Sequence, residues 1–263
     1  MINTINSYNT CKTKKTSFGA IQLARYGYLG NKSKDVIVYQ LEKSDFGYMK
    51  RLVENLKSFY KKYEIDNESA KQVIEEAFKA SIEILKCKTQ PFDKTRILMA
   101  FYNNEPSSIL IGNALKIDKK GNFHYSSRKN HAEKETELDW LATWNKKIPG
   151  EGQATVYEYF YTLLKDGFKQ CFVRSELPEK SSAVNFYTRM GFGKLSDRKR
   201  SILRKNDNKY VIGKFDDKAD KIIPMKATVM DIINTIKEKA DMIMRVENTT
   251  KYSCSLPYEE FNI

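Results

Sequence analysis

The sequence predicts an α+β fold, and three stretches carry that prediction. A β-branched run, Asp35-Val36-Ile37-Val38-Tyr39-Gln40-Leu41, reads as a strand and precedes two segments of helical period. Apolar runs at 96–102 and 107–117 flank Asn103-Asn104-Glu105-Pro106 and read as a hairpin. A strand candidate at Glu135–Thr143, a glycine-bearing loop, a long helix and a strand at 170–175 then follow in order.

The elements follow from their spacing. Phe46, Met49, Leu52, Val53, Leu56, Phe59 and Tyr60 recur at three- and four-residue steps, with Ser44 or Asp45 able to cap the helix. A second helix begins near Asn67 and presents Val73, Ala77, Phe78, Ile82 and Leu85 on one face. The long helix runs over 153–166 and closes at Gly167; another covers 181–190 and ends at Gly191. Strand pieces lie around 192–215, with Asn206-Asp207-Asn208 as a turn. The last helix, 225–246, carries Met230, Ile233, Ile236, Ala240 and Ile243 as an apolar stripe that needs a partner surface, on the domain or on a second copy of the chain.

Composition narrows the class. Of 263 residues, 41% are hydrophobic, enough for a core. No stretch reaches the roughly 18 apolar residues of a membrane-spanning helix, and no apolar leader segment opens the chain. The four cysteines are widely spaced and the two histidines have no cysteine nearby, so reduced thiols, a cytoplasmic location and no metal site are expected. The net charge of +13 is concentrated: residues 1–34 hold six Lys/Arg and no acid, and residues 194–214 hold eight against two. Residues 1–34 therefore read as a disordered basic tail.

The loop Lys147-Ile148-Pro149-Gly150-Glu151-Gly152 suits a diphosphate. Glycines let the backbone approach a ligand, the following helix offers unpaired N–H groups and a positive dipole end, and Lys147 adds a cation. One helix and one strand later comes Ala183-Val184-Asn185-Phe186-Tyr187-Thr188-Arg189-Met190-Gly191-Phe192. Together, Lys147-x-x-Gly150-x-Gly152 and Ala183-x-x-Phe186-Tyr187-x-x-x-Gly191-Phe192 resemble the paired motifs of the GNAT superfamily of acyl-CoA-dependent N-acyltransferases. Lys147 stands where that family has Gln or Arg, Lys180 where it often has Asn, and Trp144 where it often has Pro.

The resemblance covers about residues 35–215, leaving 216–263 as a C-terminal extension. It implies a central mixed, mostly antiparallel sheet with splayed parallel strands, flanked by helices on both faces. It implies acetyl-CoA as co-substrate, held by Leu141, Ala142, Thr143, Lys147, Gly150, Glu151, Gly152, Gln153, Lys180 and Ala183. An amine, on a small molecule or a protein, would attack the thioester directly. Tyr187 matches the family's proton donor to the departing thiolate. Direct attack also needs a base, and Glu135, Glu137 and Asp139 alternate on one strand face, with Glu137 deepest toward the cleft. Trp140 is expected on the opposite face, packing the core. A competing expectation is a non-catalytic module on the same scaffold that binds nucleic acid, a ribosome or an acidic protein through its basic segments.

Overall fold

The computed structural model describes residues 19–28, 31–86, 95–117, 123–125, 135–144, 151–176, 183–194, 201–206, 209–214, 222–239, 243–246 and 252–253. The strands are β1 (Ile21–Tyr28), β2 (Asn31–Gln40), β3 (Thr95–Tyr102), β4 (Glu105–Ile117), β5 (Phe123–Tyr125), β6 (Glu135–Thr143), β7 (Gln170–Glu176), β8 (Gly193–Lys194), β9 (Ser201–Asn206), β10 (Lys209–Lys214), β11 (Ile222–Thr228), β12 (Ile243–Val246) and β13 (Tyr252–Ser253). The helices are α1 (Phe46–Glu54), α2 (Leu56–Lys62), α3 (Glu68–Lys86), α4 (Glu151–Lys165), α5 (Ala183–Arg189) and α6 (Val229–Lys239).

Eleven strands form one sheet in the order β12-β1-β2-β3-β4-β6-β7-β11-β8, with β13 beside β1 and β5 beside β4. Among the described residues, only β6 and β7 pair in parallel. The expected mixed, mostly antiparallel sheet is therefore present. β9 and β10 pair with each other in a separate sheet, and Asp207 and Asn208 of the expected turn lie outside the described residues. One core lies between the sheet and α4 and α6; the second lies on the other face, under α1, α2 and α3. No described helix is long and apolar enough to cross a membrane.

Local chemistry explains most boundaries. Asn103 and Asn104 have φ of 49° and 66°, so β3 and β4 are joined by a two-residue turn of the mirror type that suits strand twist, and Glu105 and Pro106 belong to the strand. The Asn67 side chain accepts the Ala70 N–H at 3.0 Å and caps α3. The helix expected over 46–60 is instead two, α1 and α2, divided at Asn55. α4 closes through Gly167, with φ 77°; Phe168 N–H reaches Leu163 O at 3.0 Å and Gly167 N–H reaches Leu164 O at 2.9 Å, the paired bonds of a Schellman cap.

Two expectations about the chain ends are corrected. Residues 21–28 and 31–34 are strand and not tail: Ile21–Tyr28 lies between β2 and β12, with Leu23, Ala24 and Tyr26 buried. The start of the region, 1–18, lies outside the described residues. All three strands that pair with β1 follow it in the chain, two of them by more than 200 residues, so its mixed composition gives no local sign of burial. The helix expected over 225–246 in the C-terminal extension, 216–263, is also shorter, because strands take its two ends. β11 fills the place between β7 and β8, and β12 and β13 pair with β1. The last helix starts at Val229, where Thr228 Oγ1 accepts the Asp231 N–H at 3.0 Å. The predicted stripe is divided: Ile233 and Ile236, with Val229 and Ile232, are buried in the core shared with α4, Met230 is exposed, Ile243 lies in β12, and Ala240 is outside the described residues. Deleting residues 1–28 is expected to lower the melting temperature by at least about 10 °C, because a doubly paired strand is lost; a thermal melt followed by circular dichroism checks this.

Asp45 ties the start of α1 to Ala20, the residue before β1. It is buried, its Oδ2 accepts the Glu42 N–H at 2.7 Å, and it also bonds the backbone of Ala20. Burial, opposed by those N–H groups and reinforced by nearby Glu42, pushes its carboxyl from 3.8 up to about 6. The raised folded value means that this group favours folding at low pH and loses that contribution as pH rises from 3.8 through about 6. Asp45→Asn should therefore gain on the wild type by about 2–3 kcal/mol between pH 4 and pH 7 in urea unfolding. A stability difference that does not change with pH would mean the folded carboxylate is fully satisfied as an anion.

Candidate active site

Among the described residues the sheet opens between β6 and β7. β6 and β7 pair from Glu135↔Gln170 to Leu138↔Val173 and no further. Beyond that point β6 continues against β4, to Thr143↔Ser108, while β7 continues against β11, to Glu176↔Ile222. The two strands part, and the β7-facing edge of β6 over 139–143 has no described strand beside it.

A β-bulge sits at the parting. Ile111 pairs with Trp140 and Gly112 with Leu138, so Asp139 is the extra residue on β6. One extra residue reverses the alternation of faces. Before it, Thr136 and Leu138 face α4; after it, Trp140 and Ala142 face the core under α1–α3. Glu137 and Trp140 therefore lie on the same face, not on opposite faces as strict alternation predicts. Trp140 does pack on a core. Glu137 is buried and stands between Asn113 of β4 and Phe172 of β7.

The N-terminal end of α4 meets the end of β6. A Cβ added at Gly152 would lie 2.7 Å from Thr143 Cγ2, so the missing side chain lets helix and strand approach. The positive end of the helix dipole is thereby held beside the last residue of the diverging strand. Trp144 fixes that strand from the other side. It is buried, its Nε1 donates to Pro106 O at 2.6 Å, and its ring lies 5.3 Å from Phe59 and 5.6 Å from Phe78.

α4 is joined to four strands by polar bonds that the sequence reading did not anticipate. Thr155 Oγ1 lies 2.5 Å from Ser108 Oγ, Glu158 accepts the Tyr26 hydroxyl at 2.8 Å, and the Tyr159 hydroxyl lies 2.6 Å from Thr136 Oγ1. Arg96 donates to Thr162 Oγ1 at 2.6 Å and pairs with Asp166 at the helix C-terminus. The signal in the sequence is polar residues at 155, 158, 159, 162 and 166, a helical period within an aromatic-rich segment. Tyr159 enters the sheet where β4 has no side chain: a Cβ at Gly112 would overlap its ring and hydroxyl. Burial pushes the Tyr159 phenol well above its usual range, so it remains a neutral partner of Thr136.

α5 ends as α4 does. Gly191 has φ 93°, Phe192 N–H reaches Tyr187 O at 3.0 Å, and Gly191 N–H reaches Thr188 O at 3.1 Å. The Tyr187 and Phe192 rings pack at 5.6 Å, which is the apolar contact of that cap. Tyr187 packs against the core on the α4 face. Burial, then the neighbouring Cys171 thiol, pushes its phenol well above the usual range.

A mixed sheet with helices on both faces, parallel neighbours that part at a bulge, and a helix directed at the gap are now all in hand. The fold is the GNAT fold. The solved structures that the chain is similar to include three acetyltransferases. The PaiA N-acetyltransferase of Thermoplasma acidophilum, in complex with coenzyme A, is 16% identical over 73% of this chain and 98% of its own, with a TM-score of 0.44. The aminoglycoside N(6')-acetyltransferase of Legionella pneumophila is 16% identical over 76% and 95%, with a TM-score of 0.43. The GNAT domain of S. lividans PAT is 11% identical over 74% and 90%, with a TM-score of 0.45. The fold assignment rests on the strand topology. No protein-family model and no curated protein matches the chain.

Within the GNAT fold, the expected residues fall into two groups. Leu141, Ala142 and Thr143 occupy the parted stretch of β6, Glu151, Gly152 and Gln153 form the first turn of α4, and Ala183 opens α5. Lys147, Gly150 and Lys180 lie outside the described residues. Glu137 and Tyr187 stand on opposite faces of the sheet, one on each side of the parting. No group of three or more His, Cys, Asp or Glu suited to a metal occurs among the described residues. Gly112→Ala, which forces a methyl onto Tyr159, should cost about 1–3 kcal/mol. Gly47→Ala, whose Cβ would meet nothing closer than 3.8 Å within α1, should stabilise by a few tenths to about 1 kcal/mol. Paired denaturant titrations distinguish the two.

Proposed function

We propose that this chain transfers an acyl group, acetyl being the expected one, from acyl-CoA to an amine. The observation that supports this reading is the parting of β6 from β7 beside the N-terminal end of α4. The open β6 edge offers backbone N–H and C=O groups of Leu141–Thr143 for an extended, amide-bearing chain. The first turn of α4, with Gly152 admitting close approach, suits a diphosphate; Lys147, Gly150 and Lys180 complete the proposed cradle. The donor supplies a thioester carbonyl.

The chain's own residues then move protons. Glu137 accepts the proton that the attacking amine sheds, directly or through water, as the N–C bond forms. Tyr187, kept neutral by burial, hydrogen-bonds the sulfur as the C–S bond breaks and supplies it with a proton. A phenol held above its usual range is a weak acid, so much of its effect is hydrogen-bond stabilisation of developing thiolate charge. The cysteine usage expected of a reducing compartment fits a cytoplasmic enzyme.

Acetyl-CoA should raise the melting temperature, and an amine panel should release free CoA. Tyr187→Phe should lower kcat by about 100-fold or more with acetyl-CoA affinity nearly unchanged. A fully active Tyr187→Phe variant would confine Tyr187 to its capping role, and an acetyl-CoA-insensitive melt would overturn the reading as a whole.

A further inference from the structure

On the face that carries Glu137, five residues stand in one cross-strand row: Thr95 of β3, Asn113 of β4, Glu137 of β6, Phe172 of β7 and Lys226 of β11. Their flanking residues Arg96, Gly112, Thr136, Cys171 and Met225 all point to the α4 side, which fixes the row on the opposite face. Thr95, Asn113 and Glu137 are buried; Phe172 and Lys226 are half-buried. Thr95 Oγ1 donates to Asn113 Oδ1 at 2.5 Å, so the β3 end of the row is closed on itself. At the other end the Lys226 ammonium lies over the Phe172 ring, 4.8 Å from its centre, leaning along the row toward Glu137.

Within this row an acid and a base are thus held on either side of one aromatic ring. A sheet face that only needed packing would place apolar residues there, because half-burying a charge costs solvation. Both charged residues also engage other groups of the fold, and a ligand would join those interactions. Neighbouring strands lie about 4.8 Å apart, so Glu137 and Lys226 rise from backbones about 10 Å apart, and less at the ammonium. Two polar contacts of about 3 Å each leave a gap that an amine and a carboxylate separated by one or two carbons fill.

We infer that the acceptor is zwitterionic: Glu137 receives its amine and Lys226 its carboxylate, while Phe172 packs the carbon between. This rests on the acyl-transfer reading and narrows it from amines in general to amino-acid-like acceptors.

The test uses calorimetric binding without any CoA donor. Alanine, phenylalanine, histidine and lysine are compared with ethylamine, phenethylamine, histamine and cadaverine. At least one amino acid should bind about 10-fold or more tightly than its decarboxylated partner. Lys226→Met should bring that ratio close to one, and Lys226→Arg should retain it, with melting temperatures confirming that both variants fold. Equal affinities across the pairs, no binding by any member, or a preference that survives Lys226→Met would each overturn the inference. Because no donor is present, failure of acetyl-CoA to bind would strike the acyl-transfer reading and leave this outcome readable by itself.

Discussion

The end of pairing between β6 and β7 is the constraint on which the remaining architecture depends. A strand inside a sheet has backbone donors and acceptors on both edges, and each needs a partner. Up to Leu138 both edges of β6 are served by strands; from Asp139 onward β4 alone is alongside. The bulge at Asp139 falls at the same step, increasing local twist and redirecting the strand away from β7. β11 lies on the other edge of β7 and pairs with it from Gln170 to Glu176, through the paired stretch and the parted one alike. The C-terminal segment thus keeps β7 in the sheet beyond the point where it leaves β6.

An opened sheet needs a brace, and α4 provides it. Its bonds to Tyr26, Arg96, Ser108 and Thr136 reach β1, β3, β4 and β6, on the intact side of the parting. Each such bond adds on the order of 1 kcal/mol net, but losing one partner of a buried pair costs about 1–3 kcal/mol. These bonds are directional where an apolar interface is not. They fix the rotation of α4 about its axis, and so the direction of its first turn at the end of β6. Gly112 and Gly152 serve the same end by removing side chains where helix and sheet come closest.

Much of this was legible in the sequence wherever the determinant is local. The turn at Asn103-Asn104, the helix start near Asn67 and the glycines ending α4 and α5 act within a few residues of themselves. Determinants set by partners far along the chain were not legible. β1 has the composition of a tail, yet it is buried because residues 243–246 come back to it. The start of the last helix moved because 222–228 is claimed by β7 first. In the candidate site, Glu137 is buried, and one bulged residue reverses the relation of Trp140 to it that strict alternation predicts. A period-two argument cannot survive an insertion in the pleat.

Motif spacing therefore needs separating into what the fold requires and what exceeds it. The interval from Tyr187 to Gly191 and Phe192 is the interval of a Schellman cap: an apolar residue three places inside the helix end, a residue of positive φ, and an apolar residue after it. Any chain ending a helix against a core this way would acquire it, and phenylalanine at 187 would satisfy it. The hydroxyl of Tyr187 is the excess. By the same reasoning an apolar residue at 137 would suffice to fill a buried strand face, and the carboxylate is the excess. Gly152 works in the opposite sense, since there the fold gives up a side chain. Tyr187, Glu137 and Gly152 each cost the fold something, and they lie around the parting of β6 from β7.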